Sequence, residues 1–354
     1  MKKLISVVTS LALLLVMFSC TNTVKNPVPE WQYLFNGTDL SGWVQKNGQA
    51  PYEVVDSVII GTTIINTPNS FLCTEQNYSN FILELDFKVH PLMNSGVQVR
   101  SNSLAEYQDG RVHGYQIEID PSDRAFTGGI YDEARRGWLY TLSDEEDSAA
   151  RAAFKNGEWN SFRVEAIGNN IKTFVNGVPV ANLYDDVDST GFIALQVHSV
   201  GQDSSMTGRQ IMWKNIKILT VNPEKFSLSS NAKQKSFLVN TLTDQEISDG
   251  WKLLFDGKTS AGWRKAYGEG FPEKGWKVEN GMLTVEPSAG AESQNGGDII
   301  TTDEYDNFEL TLQVKLTPAA NSGVKYFVTE QENNNPGSAI GLESPGGQSP
   351  VSRC

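Results

Sequence analysis

Over 114–120, GYQIEID, the residue types alternate, so that Gln116, Glu118 and Asp120 fall on one face of a β-strand and Tyr115, Ile117 and Ile119 on the other. Carboxylates and an amide in one row can move protons and hold hydroxyl groups, while the apolar row packs into a core. A turn-rich stretch follows (Pro121, Ser122, Asp123, Thr127, Gly128, Gly129), and it delivers Tyr131, Glu133, Arg135, Arg136 and Trp138 in quick succession. Aromatic rings among ionisable side chains suit a carbohydrate site, where Trp138 stacks on a sugar ring and Arg136 reaches its hydroxyls. The plainer reading is an antiparallel strand with one wet face.

These residues need a scaffold, and the 354-residue chain is long enough for two domains. At 39% hydrophobic and 20% charged it has the composition of a globular protein, and its formal charge of −13 argues against nucleic acid, which is bound through clustered Lys and Arg. A small neutral carbohydrate is the better partner. The amino terminus reads as an export signal: Lys2 and Lys3, an apolar run over 4–18, then Ser19-Cys20. That run is too short for a spanning helix. A small residue directly before a cysteine resembles a bacterial lipoprotein signal, with Cys20 as the lipidated residue. Residues 1–20 are then the signal and 21–30 a tether, which places the protein in the bacterial cell envelope, lipid-anchored on the periplasmic side or at the outer membrane. Only Cys73 and Cys354 remain after Cys20, so no disulfide framework is implied. With three His and no paired cysteines, a zinc site has little to be built from.

Internal repetition organises the chain. WQYLFNGTDLSGW (31–43) recurs as WKLLFDGKTSAGW (251–263), NFILELDFKV (80–89) as NFELTLQVKL (307–316), and NSGV at 94–97 as NSGV at 321–324. The last two pairs share an offset of 227. Period-two alternation over 81–89 and 308–316 predicts strands, as do 161–167, 171–175, 191–199 and 210–219, with hairpin turns at Asn169-Asn170 and Asn176-Gly177. Many short strands with one clear helix, at 144–154 with Ser143 as N-cap and Glu146 closing a capping box, argue for an all-β sandwich or jelly roll. A second capping box, Thr243 with Glu246, opens a short helix. The domains are then 31–221, a linker over 222–249, and the front half of a second copy over 250–343. The tail, 344–354, has no strand pattern and no counterpart in the first copy, which suggests a truncated or frameshifted sequence.

The ordered set LFNGTDLSGW, NSGVQVR, GYQIEID, TGGIYDEARRGWL, EWN, FVNG, GFIALQVHS and WKNIKI resembles the 3-keto-disaccharide hydrolase domain family, whose fold is similar to concanavalin A-like lectins and glucanases. The fold expected is therefore a duplicated concanavalin A-like β-sandwich with an incomplete second copy. The family's activity implies that a base removes the C2 proton beside a C3 ketone, the C1 aglycone leaves, and water adds. On that resemblance Glu118 is the base, Arg100 stabilises the enolate, and Tyr131 or His198 serves as acid. Gln116, Asp120, Glu133, Arg136 and Trp138 hold the substrate. Alternation puts Gly96, Gln98 and Arg100 on one face, with Gly96 leaving room for the ligand. No cofactor is implied, although a divalent metal on Glu118, Asp120 and His198 could replace Arg100.

Two rival readings stand beside this one. A retaining glucanase would use Glu118 with a second carboxylate, but Asp123 occupies the place of that second glutamate and Pro121 interrupts the strand. A non-catalytic lectin-like module would use the same aromatic and polar loop.

Overall fold

The computed structural model describes residues 27–287, 295–318, 320–331 and 340–345. The signal, Cys20 and most of the tether and tail lie outside these. Among the described residues no helix is long and apolar enough to cross a membrane.

Sixteen strands form two sheets. They are β1 (Gln32–Tyr33), β2 (Trp43–Asn47), β3 (Tyr52–Val55), β4 (Val58–Thr62), β5 (Ser70–Thr74), β6 (Phe81–Val89), β7 (Ser95–Asn102) and β8 (His113–Ile119). There follow β9 (Ile130–Glu133), β10 (Gly137–Tyr140), β11 (Asn160–Ile167), β12 (Asn170–Val175), β13 (Val178–Tyr184), β14 (Phe192–Val197), β15 (Gln210–Leu219) and β16 (Gln234–Ser236). One sheet runs β16-β13-β12-β11-β6-β15-β4-β3, with β1 added to β15; the other runs β10-β9-β8-β7-β14-β5-β2. Their inner faces share one core. Leu83, Leu85 and Phe87 of β6, Phe162 of β11 and Trp213 of β15 meet Tyr115, Ile117 and Ile119 of β8 and Val97 of β7. Each of these large side chains is removed from water, a gain of about 1.5–3 kcal/mol apiece. The molecule is thus an all-β sandwich, as the alternation predicts.

Local details move by a residue. The first hairpin turns at Gly168-Asn169, because Gly168 takes the left-handed conformation (φ 56°). Asn176-Gly177, both at positive φ, make the second turn as expected. The predicted helix begins at Asp144, whose side chain and that of Asp147 form the capping box, and a 3-10 turn (Glu145–Asp147) precedes α1 (Ser148–Ala153). Thr243 and Glu246 cap α2 (Asp244–Ser248) reciprocally, as read.

The segment read as a linker is stitched to the first sandwich. Its β16 pairs in parallel with β13, Arg163 Nη2 donates to Phe226 O at 2.6 Å, and Tyr140 OH donates to Lys233 O at 2.7 Å. Buried Glu165 accepts from Ser227 Oγ and the Leu228 amide while pairing with Arg163 and Lys172.

Beyond α2 the described residues form three two-stranded ladders: β17 (Trp263–Lys265) with β20 (Ile299–Thr301), β18 (Trp276–Glu279) with β19 (Met282–Val285), and β21 (Gly323–Thr329) with β22 (Ile340–Pro345). Several first-sandwich details recur here. Trp263 Nε1 donates to Leu254 O as Trp43 Nε1 does to Leu34 O. The β21–β22 register repeats that of β7–β8 pair for pair at the 227 offset, irregularity included. The strand expected over 307–316 enters no ladder.

Candidate functional site

The register of the seven-stranded sheet sets the rows on its outer face, away from the core. Gly96 lies opposite Glu118, Gln98 opposite Gln116, and Tyr131 opposite both Gln116 and Trp138. Glu118 keeps 5% exposure. Its Oε1 accepts from Asn94 Nδ2 at 2.6 Å and its Oε2 from Gln116 Nε2 at 2.8 Å. Gln116 Oε1 in turn accepts from Gln98 Nε2 at 2.7 Å, and Gln98 Oε1 from Ser101 Oγ at 2.7 Å. Every donor in the chain points toward the carboxylate. Burial pushes the Glu118 carboxyl above its ordinary pKa, and the Asn94 and Gln116 hydrogen bonds offset only part of that rise.

Gly96 serves a different end from leaving room for the ligand. A Cβ there would come within 2.5 Å of the Gln116 side chain, so the space over Gly96 belongs to the Gln116 amide rather than to a ligand.

An aromatic wall stands beside the carboxylate. Trp138 meets Tyr131 and Phe126 edge-on, each at 5.2 Å between ring centroids, and the Arg124 guanidinium lies 5.4 Å from the Trp138 ring. Tyr131 makes no hydrogen bond through its hydroxyl among the described residues. Burial and then the charges of Glu133 and Glu118 raise its pKa, which keeps it a proton donor. A second cluster adjoins. Glu133 Oε1 lies 3.7 Å from Arg111 Nη2 and accepts from Asn69 Nδ2 at 3.4 Å, and His198, whose Nδ1 donates to Ser199 O, acts on it electrostatically. Burial raises the Glu133 pKa as well.

Three expected site residues are placed elsewhere. At Arg100 a bulge interrupts β7 and the backbone turns left-handed (φ 48°), which breaks the alternation. Ser101 therefore follows Gln98 on the outer face, while the buried Arg100 guanidinium donates to Ser79 O, Gly168 O and Asn80 Oδ1. It ties loops together and does not face Glu118's row. Arg136 is held by Asp132 and, bidentately at 2.8 and 3.0 Å, by Asp185; this network with Arg135 and Asp188 lies on the other side of β9 from Tyr131. Asp120 spends both oxygens on its own turn, accepting from Ser122 and from Arg124 Nε at 3.0 Å. Glu118, Gln116, Tyr131 and Trp138 are brought together, with Glu133 and His198 alongside.

Asn94, Gln98, Arg111 and Arg124 were not assigned roles from sequence. The repeated NSGV pointed at Asn94, whereas Arg111 and Arg124 lie in loops where no periodicity marks a face. A divalent ion finds no fit. Among the described residues no three His, Cys, Asp or Glu side chains converge, and Asp120, one of the three candidate ligands, is engaged within its turn.

Residues 30–219 and 250–346 match the family described as a 3-keto-alpha-glucoside-1,2-lyase-like domain. A curated relative, a 3-keto-disaccharide hydrolase of Bacteroides thetaiotaomicron, is 39% identical over 85 residues, which are 23% of this chain. The chain spans 29% of that relative's length. Among solved structures, a putative glycosyl hydrolase from Parabacteroides distasonis aligns over 56% of this chain and 99% of its own, at 20% identity and a TM-score of 0.39. A carbohydrate-binding module from Bacillus subtilis aligns over 50% of this chain and 94% of its own, at 17% identity and a TM-score of 0.33.

Proposed function

Because the chain belongs to the 3-keto-alpha-glucoside-1,2-lyase-like domain family, we propose that its first sandwich cleaves 3-keto-glucosides or 3-keto-disaccharides. The observation that carries this reading is Glu118: a buried carboxylate of raised pKa, clamped by two amide donors beside an aromatic wall. Glu118 takes the C2 proton, and the C2–H electrons pass into the C3 carbonyl as an enolate. The enolate expels the aglycone oxygen from C1, leaving a C1=C2 double bond, and the Tyr131 hydroxyl protonates the departing oxygen. Water then adds its hydroxyl to C1; Glu118 returns a proton to C2, and Tyr131 regains its proton from the water. Nothing is oxidised or reduced overall. Arg124, whose charge acts on Glu118, takes the place that Arg100 cannot fill as a cation near the enolate.

The glucanase alternative fares worse. β8 ends at Ile119 and Asp123 is exposed in the turn beyond it, so no second carboxylate continues the strand. The lectin-like alternative rests on the same wall and is separated by assay. The full chain should release aglycone from a 3-keto-glucoside, with or without chelator, and leave the unoxidised glucoside intact. Retained glycan binding with no turnover of any 3-keto substrate would move the assignment to the lectin-like module.

A lipid anchor at Cys20 completes the proposal. Cys20→Ser should shift the protein from the membrane fraction to the soluble one, and continued membrane retention would refute the anchor.

A further inference from the structure

The segment joining β7 to β8 carries Arg111 to the edge of the site and is fastened from two directions. Asn47, the last residue of β2, donates through Nδ2 to Gly110 O at 3.1 Å and accepts from the Val112 amide at 2.8 Å. Val112 itself is fully buried with Phe71, Cys73, Phe192 and Ala194. From the other direction Tyr107 donates its hydroxyl to Ala134 O, just beyond β9, at 2.7 Å, and the Arg111 amide closes on Tyr107 O. Gln108 and Asp109 are left-handed (φ 44° and 56°), a strained turn that these contacts over-determine. The anchored backbone presents a guanidinium that is 52% exposed, with Nη1 donating to Gln108 Oε1 at 3.2 Å and Nη2 lying 3.7 Å from Glu133 Oε1. Glu133 and Tyr131 are alternate residues of β9 on one face, about 7 Å apart along the strand. Burial, Glu133 and Glu118 oppose loss of the Tyr131 proton, and the Arg111 charge favours it.

We propose that Arg111 is a positioning residue that acts through Tyr131, as the counter-charge for the phenolate left when Tyr131 protonates the departing aglycone oxygen. This rests on the reading of Glu118 as base and Tyr131 as acid. In that elimination Glu118 begins as a carboxylate and ends protonated, while Tyr131 begins as a phenol and ends as a phenolate. One negative charge is thereby moved across the outer face from β8 to β9. Where it starts, the Asn94 and Gln116 amides hold it; where it arrives, no described residue donates a hydrogen bond to the Tyr131 oxygen, and Arg111 is the cation at hand. The need for that cation grows with the basicity of the leaving oxygen. An alkoxide must take the Tyr131 proton as it departs, whereas a nitrophenolate departs without it. The substrates that depend on Arg111 are therefore glycosides of alcohols, disaccharides included.

The test compares kcat of the full chain and of its Arg111→Gln variant on methyl 3-keto-glucoside and on 4-nitrophenyl 3-keto-glucoside. The variant should lose roughly ten- to a hundredfold on the methyl glycoside, the worth of one charge at this range in a partly buried site, and about tenfold less than that on the nitrophenyl one. Arg111→Lys keeps the charge and should show a smaller bias between the two substrates. In a Tyr131→Phe background Arg111→Gln should add no further bias, because the group it acts through is gone. Equal losses on both substrates would overturn the proposal, as would an unchanged kcat on the methyl glycoside. An equal bias in Arg111→Gln and Arg111→Lys would do the same, as would a bias undiminished in the Tyr131→Phe background. If the parent releases neither aglycone, the assigned reaction fails and this role with it; if the parent releases both and the variant shows no bias, the reaction stands and the role of Arg111 falls.

Discussion

NFILELDFKV and NFELTLQVKL carry the same alternation, yet only the first becomes a strand. β6 sits between β11 and β15 at the centre of its sheet, with Phe81 fully buried, whereas 307–316 joins no ladder and Phe308 is 45% exposed. Alternation supplies a face to bury; a strand also needs neighbours to satisfy its backbone and a second layer to cover that face. Among the described residues no strand lies beside 307–316. Where both members of a pair are present, as in β21–β22, the first repeat's geometry returns down to its bulge, with Phe327 left-handed (φ 53°) where Arg100 is.

The largest expected effect tests whether the second repeat shares the chemistry. Pro345 stands opposite Gly323 where Glu118 stands opposite Gly96, so that position of the second repeat carries no carboxylate. Glu118→Gln should lower turnover by about 10² to 10⁴ with binding largely kept, and full activity of the variant would remove Glu118 as the base. Its effect on stability has the opposite sense. A carboxyl whose folded pKa lies above its unfolded value contributes stability below the unfolded value and loses it as pH rises through the folded one. Glu118→Gln should therefore raise the Tm at neutral pH, and the parent's activity should fall as pH drops through the elevated pKa.

Next in size, Phe81→Ala should cost about 3–5 kcal/mol by denaturant melt. Glu165→Gln follows at about 1–3 kcal/mol, because it weakens the clamp on Ser227 and Leu228. Burial alone would raise the Glu165 pKa, but hydrogen bonds from Ser227, Leu228, Arg163 and Lys172 bring it below normal. Its stabilisation is thus present above the unfolded value and lost as pH falls through the folded one. Glu165 lies outside the site and acts as a fastening, so its variant should keep kcat while melting earlier. Smallest of all, Phe308→Ala should stay within about 0.5 kcal/mol. A cost like that of Phe81→Ala would show that 307–316 is packed after all.

What the sequence made legible follows the reach of each signal. Alternation is local, so β6, β8 and the burial of Tyr115, Ile117 and Ile119 could be read directly. Glu118, Tyr131 and Trp138 share a face because regular strands carry them. Arg100 was misplaced because one bulged residue inverts every later parity, and Arg136 because Asp132 and Asp185 claim its guanidinium from distant positions. The linker looked free because its polar composition hid pairings made by Glu165, Arg163 and Tyr140.

The one-way row of amides also makes the two oxygens of Glu118 unlike. When the carboxylate accepts a proton it needs a neighbour able to receive a hydrogen bond. Asn94 can present its carbonyl by turning its amide over alone, whereas Gln116 can do so only if Gln98 and Ser101 rearrange with it. The proton therefore settles on Oε1. A single oxygen that both collects and returns hydrogen from one fixed side would give the product the same handedness at C2 as the starting sugar, with solvent deuterium entering only as fast as that oxygen exchanges.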